Sequence, residues 1–128
     1  MKDWVLVDSS VWIAAARVGG DPQAAAELGE LLFSGRAAMT EPVWVELFQG
    51  IKGKREDARL AELKKACAWL AFDEACWTEA AAMARACLRA GVNVPLGDVL
   101  VFACATRHGV ELLERDRHFA MIRKAMEP

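Results

Sequence analysis

Apolar residues along this chain follow two rhythms. Short continuous runs, bounded by polar or turn-forming residues, alternate with longer stretches in which apolar positions return at helical spacing. The first run is Trp4 to Val7, ending at Asp8-Ser9-Ser10, after which Val11, Trp12, Ala15 and Ala16 recur along one side of a helix. That order predicts a strand and then a helix, with Ser9 or Ser10 placed to cap it. Gly19-Gly20-Asp21-Pro22 interrupts the pattern, and a second helix is predicted over Ala24 to Phe33, with Leu28, Leu31 and Leu32 on one side. Ala37 to Thr40 reads as a short buried strand, and Pro42 suits the opening of a helix over Val43 to Gly50.

Lys52, Lys54, Arg55, Arg59, Lys64 and Lys65 then gather around Leu60 and Leu63, a pattern better read as the solvated face of a helix than as a nucleic-acid patch. Ala68 to Phe72 predicts a third strand, Asp73 a cap, and Glu74 to Arg89 an alanine-rich helix. A loop from Ala90 to Gly97 precedes a helix over Asp98 to His108, a final strand over Val110 to Leu113, and a segment, Glu114 to His118, that leads into a terminal helix. Helices set between short apolar strands imply parallel pairing with helices on both faces, so the predicted class is α/β. Ligands in such sheets gather beyond the carboxyl ends of the strands. Asp8 and Asp116 each follow a strand and are expected at that edge. No repeat, low-complexity tract or linker divides the chain, and residues 1–128 are read as one domain.

Composition narrows the function classes. With 128 residues, 55% of them hydrophobic, the chain can bury a real core. No apolar stretch is long enough for a membrane helix, and the N-terminus lacks the apolar centre of a signal peptide, so a cytoplasmic protein is expected. Cys67, Cys76, Cys87 and Cys104 are widely spaced without a CxxC pair, and are read as reduced, mostly buried thiols. His108 and His118 match no metal motif. The net charge of −2 argues at first against a nucleic-acid partner. Setting aside four acids, Asp8, Glu46, Asp98 and Asp116, leaves a small positive balance.

Those acids are the candidate chemistry. Asp8 ends an apolar strand and Glu46 is embedded in VWVELF, both poor places for a charge. Carboxylates held together in a low-dielectric cleft must take up protons or share cations. An all-oxygen set prefers magnesium or manganese, and the matching chemistry is phosphoryl transfer. Each acid also has a structural reading: Asp8 as a helix cap, Glu46 as an exposed acid on an amphipathic helix, Asp98 as a first-turn charge, Asp116 as a turn residue. Spacing alone leaves both readings open.

VLVDSSVWI resembles the opening of the PIN-domain family, in which a strand delivers an acid followed by a small polar pair. EPVWVELFQG is similar to the family's second motif, with Glu46 as its acid, and PLGDVLVFACATRHGVELLERDRHF to the third and fourth, with Asp98 and Asp116. The motifs run in the family's order from Val5 to Phe119. Length and the DSSVWI form are most similar to the VapC toxins. The resemblance implies a PIN-like three-layer fold with a mostly parallel sheet. It implies an endoribonuclease using Mg2+ (or Mn2+) at the four carboxylates, often a homodimer, paired with a VapB antitoxin. Ser10 matches a position that supports the metal site through hydrogen bonds.

Two positions depart from the pattern: Glu114 stands where many relatives carry Ser or Thr, and His118 where many carry Asp. Glu114 would add charge near the site, and His118 could replace an oxygen ligand, contact RNA or do neither. A phosphotransfer or phosphatase domain is disfavoured because Ser10 stands where a second acid is wanted. A PIN-like scaffold kept only for binding is the other alternative. Trp44 and Phe48, four apart on the helix carrying Glu46, are expected to form a partner groove close to the acidic cleft.

Overall fold

The computed structural model describes residues 3–17, 19–51 and 53–128; Lys52, counted above among the basic residues, lies outside the described residues. The chain forms β1 (Val5–Val7), α1 (Ser9–Ala16), α2 (Pro22–Phe33), β2 (Ala37–Met39), α3 (Glu41–Gln49) and α4 (Lys54–Ala66). It continues through β3 (Ala68–Trp69), α5 (Glu74–Arg89), α6 (Leu96–His108), β4 (Glu111–Leu113) and α7 (His118–Ala125). The four strands lie in the order β3-β2-β1-β4, and every pairing is parallel. This is the expected α/β arrangement, a sheet flanked by helices in three layers.

Val5, Leu6 and Val7 point alternately to the two faces of the sheet and are all buried, so both faces are covered. Leu6 pairs with Ala38 on one side and Leu112 on the other. The core gathers around this central strand and includes the fully buried Met39, Met83, Phe119 and Ile122. From β1 the chain builds outward through β2 to β3, then returns across the sheet to add β4 on the opposite side. Connections therefore diverge at the carboxyl ends of β1 and β4, which opens a crevice there.

Local chemistry explains where element ends differ from the sequence reading. The N-cap of α1 is Asp8 rather than either serine, because its carboxylate accepts from the Ser10 N–H. Strand β3 stops at Trp69 instead of Phe72. Leu70 N–H still bonds Met39 O, but Phe72 N–H donates to the Glu41 side chain, so the ladder has already ended. Pro95 caps α6, which starts at Leu96 and leaves Asp98 in its first turn. The Asp116 carboxylate accepts from His118 N–H and sets the start of α7. Gly20 is required by space, since a Cβ there would lie 2.2 Å from Ala14 O and 2.7 Å from Arg17 O.

Phe119 is fully buried and stacks against Phe102 with ring centroids 6.5 Å apart. Phe119→Ala is expected to lower unfolding free energy by about 3–5 kcal/mol, as for other large-to-small core changes. Denaturant titration checks this, and a loss below about 1 kcal/mol contradicts the packing described.

Candidate metal centre

Each of the four acids sits where an element begins or ends at the crevice, except Glu46, which projects from the middle of α3. Asp8 immediately follows β1, and its N–H extends the β1–β4 ladder by bonding Leu113 O at 2.9 Å. Asp116 lies in the short connection between β4 and α7. The Glu46 carboxylate reaches over Gly97 in the first turn of α6, with Oε2 3.6 Å from where a Cβ at Gly97 would stand. Asp98 is in that same turn, so two carboxylates share the positive end of the α6 dipole. The four are close enough for mutual repulsion: Asp8 and Asp98 each feel Asp116, and Glu46 feels the other three.

A serine pair holds the first two acids. Ser10 Oγ donates to Asp8 Oδ2 at 2.6 Å and accepts from Arg115 N–H at 3.0 Å, linking the turn after β1 to the loop that carries Asp116. The Arg115 guanidinium in turn reaches Asp21 at 3.3 Å and Glu27 at 2.6 Å, anchoring that loop to the start of α2. The Ser9 side chain interacts with Glu46 and opposes the rise of its carboxyl. Between the other two acids lies His118, whose Nδ1 is 3.0 Å from Asp98 Oδ2 and 2.7 Å from Asp116 Oδ1. The family resemblance points to Ser10 as a support, whereas Ser9 reads only as a possible cap; the available signal is two hydroxyls after a strand-ending acid. The sequence singles out His118 as standing where many relatives carry Asp, but its contact with Asp98 is not legible there, because Asp98 lies on another helix.

Burial is the principal cause of the site's electrostatics. It raises the carboxyl groups of Asp8, Glu46 and Asp98 above their ordinary values, and the neighbouring acids add to the rise. Asp98 is pushed up to about 6, with Asp116 and Asp8 as the next causes after burial. Glu114 is also raised by burial, while Arg123 acts in the opposite direction. Among the described residues, Asp8 Oδ1 and Glu46 Oε1 are buried side-chain oxygens without a hydrogen-bond donor. Such oxygens are costly unless a cation faces them. The donor set, carboxylates with one imidazole nitrogen, fits a hard or borderline divalent ion.

The expected groove is placed differently. Trp44 and Phe48 do share a flank of α3, but helical geometry turns that flank about 160° from Glu46, away from the carboxylates. The Trp44 ring meets Trp69 edge-on at 5.9 Å, and Lys64 Nζ lies 5.6 Å and 5.4 Å over the two indoles. Trp44, Val45, Phe48 and Gln49 line an open depression of about 360 Å³ on this side.

Asp98 provides a test of the crowding. Its folded pKa lies above the unfolded value, so its contribution to stability is fully present below about 3.8 and is lost as pH rises through about 6. A shift of that size is worth up to about 3 kcal/mol. In chelator-treated protein, Asp98→Asn should therefore gain melting temperature over wild type as pH rises from 5 to 7. Parallel pH profiles for the two proteins would contradict the described environment.

A PIN-domain family model matches residues 5–125. The chain is 34% identical over 122 residues to VapC ribonuclease Mb1587 of Mycobacterium bovis, covering 92% of this chain and 90% of the relative. The same figures hold for ribonuclease VapC11 of Mycobacterium tuberculosis. Among solved structures, DNA-bound VapBC from Salmonella typhimurium superposes with a TM-score of 0.76 at 13% identity, covering 93% of this chain and 92% of that one. The chain belongs to the PIN-domain family, and within it to the VapC type.

Proposed function

We propose that this chain is a divalent-metal-dependent endoribonuclease, the toxin of a type II toxin–antitoxin pair, with Asp8, Glu46, Asp98 and Asp116 as ion ligands. The observation that carries this reading is the pair of buried oxygens, Asp8 Oδ1 and Glu46 Oε1, left without donors beside two further acids. Mg2+ or Mn2+ held there would supply an activated water and offset charge on the scissile phosphate. The protein's own part is positioning. Ser10 occupies Asp8 Oδ2 and so leaves Oδ1 turned to the cleft, Ser9 steadies Glu46, and His118 keeps Asp98 and Asp116 together. An ion that replaced those contacts would meet a nitrogen donor in His118, which favours manganese relative to an all-oxygen set.

The same reading places the protein in the cytoplasm, where RNA is available and its four free cysteines remain reduced. No helix among the described residues is long and apolar enough to cross a membrane. A VapB-type antitoxin and a second copy of the chain are its partners in this reading. The antitoxin tail lays apolar side chains in the Trp44–Phe48 depression and must pass around α3 to bring an arginine to the carboxylates.

Asp8→Asn should retain the fold by circular dichroism and lose RNA cleavage by more than the roughly 100-fold cost of losing an outer-shell partner. Mg2+ or Mn2+ at about 100 times Kd should stabilise wild type by about 2.7 kcal/mol, and a variant with all four acids neutralised should show no such response. Undiminished cleavage by folded Asp8→Asn, or equal metal shifts in both proteins, rejects the site.

Trp44→Ala tests the partner surface separately. Calorimetry should show weaker antitoxin binding by about 10-fold or more, the loss expected for an interfacial aromatic anchor, with cleavage less affected. Unchanged antitoxin affinity in folded Trp44→Ala excludes this depression as the principal anchor.

A further inference from the structure

The four cysteines do not all behave as isolated thiols. Cys104 and His108 are four residues apart on α6 and so face the same way, and Cys76 comes to them from the first turn of α5. The sulfurs of Cys76 and Cys104 and one ring nitrogen of His108 all lie within 4.8 Å of one another. Both cysteines are fully buried, whereas His108 is half-buried and gives the cluster a path to solvent. Around it, Cys104 Sγ contacts Thr40 Oγ1 at 3.3 Å, and Ala71 O receives His108 Nε2 at 2.8 Å and Cys76 Sγ at 3.7 Å. The Asp73 carboxylate caps α5, contacts the Cys76 side chain and interacts with His108. We propose that Cys76, Cys104 and His108 form a binding site for a soft divalent cation of the zinc class, with the fourth position left to water from the His108 side.

Tetrahedral zinc places sulfur and nitrogen ligands about 3.5 Å apart, so atoms within 4.8 Å of one another need to close by no more than roughly 1 Å. Two thiolates balance a divalent ion, leaving no net charge in a pocket that would not tolerate either thiolate alone. Packing alone accounts for buried cysteines, but it does not require an imidazole between them. Cys104 is six residues beyond Asp98, about 9 Å along the axis of α6. The helix thus carries a hard-donor set at its start and a soft-donor set near its end, and the ion in the second would fasten α6 to α5.

The test uses the full chain, reduced and stripped with chelator, and titrates it with Co2+ as a probe for zinc. The expected result is a sulfur-to-cobalt charge-transfer band that saturates at one ion per chain and is abolished by zinc but not by excess Mg2+. Asp98→Asn/Asp116→Asn should keep the band, because carboxylates cannot produce it. Cys76→Ser and Cys104→Ser should each reduce it, and the double variant should lose it. His108→Gln, at a half-buried position compatible with folding, should weaken zinc competition by at least about 10-fold. Absence of the band in folded wild type overturns the proposal, as does its persistence in the double cysteine variant or its loss in Asp98→Asn/Asp116→Asn. None of these readings depends on RNA cleavage, so failure here and failure of the nuclease assignment are separable.

Discussion

Four acids are brought to one edge of a small parallel sheet, and their mutual repulsion is the constraint to which the surrounding structure responds. Burial makes the repulsion stronger, because little water remains to screen it. The protein opposes it with hydroxyls from Ser9 and Ser10, with the positive end of α6 and with His118 between two of the acids. These devices reduce the strain without removing it, as the raised carboxyl groups of Asp8, Glu46 and Asp98 record. What is left over is an affinity for positive charge built into the apolar core's own edge.

The tripeptide Asp8-Ser9-Ser10 concentrates much of this organisation. Asp8 ends the central strand, caps α1 and presents an unpaired oxygen. Ser9 reaches α3, and Ser10 reaches the loop after β4, so three consecutive residues tie together both sides of the sheet. Arg115 extends the connection to α2 through Asp21 and Glu27. These last ion pairs are partly exposed and contribute modestly to stability. Their effect is to fix the backbone from which Asp116 projects.

Strand and helix order was legible because apolar runs and helical spacing depend on local burial, which this fold applies regularly. Thus Val5, Leu6 and Val7 and the alanine-rich α5 were readable without tertiary information. Element ends were less so: β3 is cut short by a hydrogen bond from Phe72 to Glu41, thirty-one positions earlier, which no local rule contains. Asp8 and Asp116 were placed at the correct edge by strand topology, and family resemblance linked Glu46 and Asp98 to them. The flank of Trp44 and Phe48 was legible as a shared face, and the same helical spacing already turns it from Glu46; only its packing on Trp69 and Lys64 needed the tertiary structure. The Cys104–His108 spacing was present in the sequence, yet Cys76 joins it only through the packing of α5 on α6.

The strand order also has a temporal consequence. A chain made from its N-terminus has β1 and Asp8 before the other strands, but β1 (Val5–Val7) remains without one of its two neighbours until β4 (Glu111–Leu113) emerges last of the four. The last carboxylate, Asp116, arrives with that strand. Closing the sheet and completing the acidic cluster are therefore one event, which follows the formation of every other strand. A chain that stops short of β4 lacks the fourth strand and Asp116 together, and so cannot assemble the cluster.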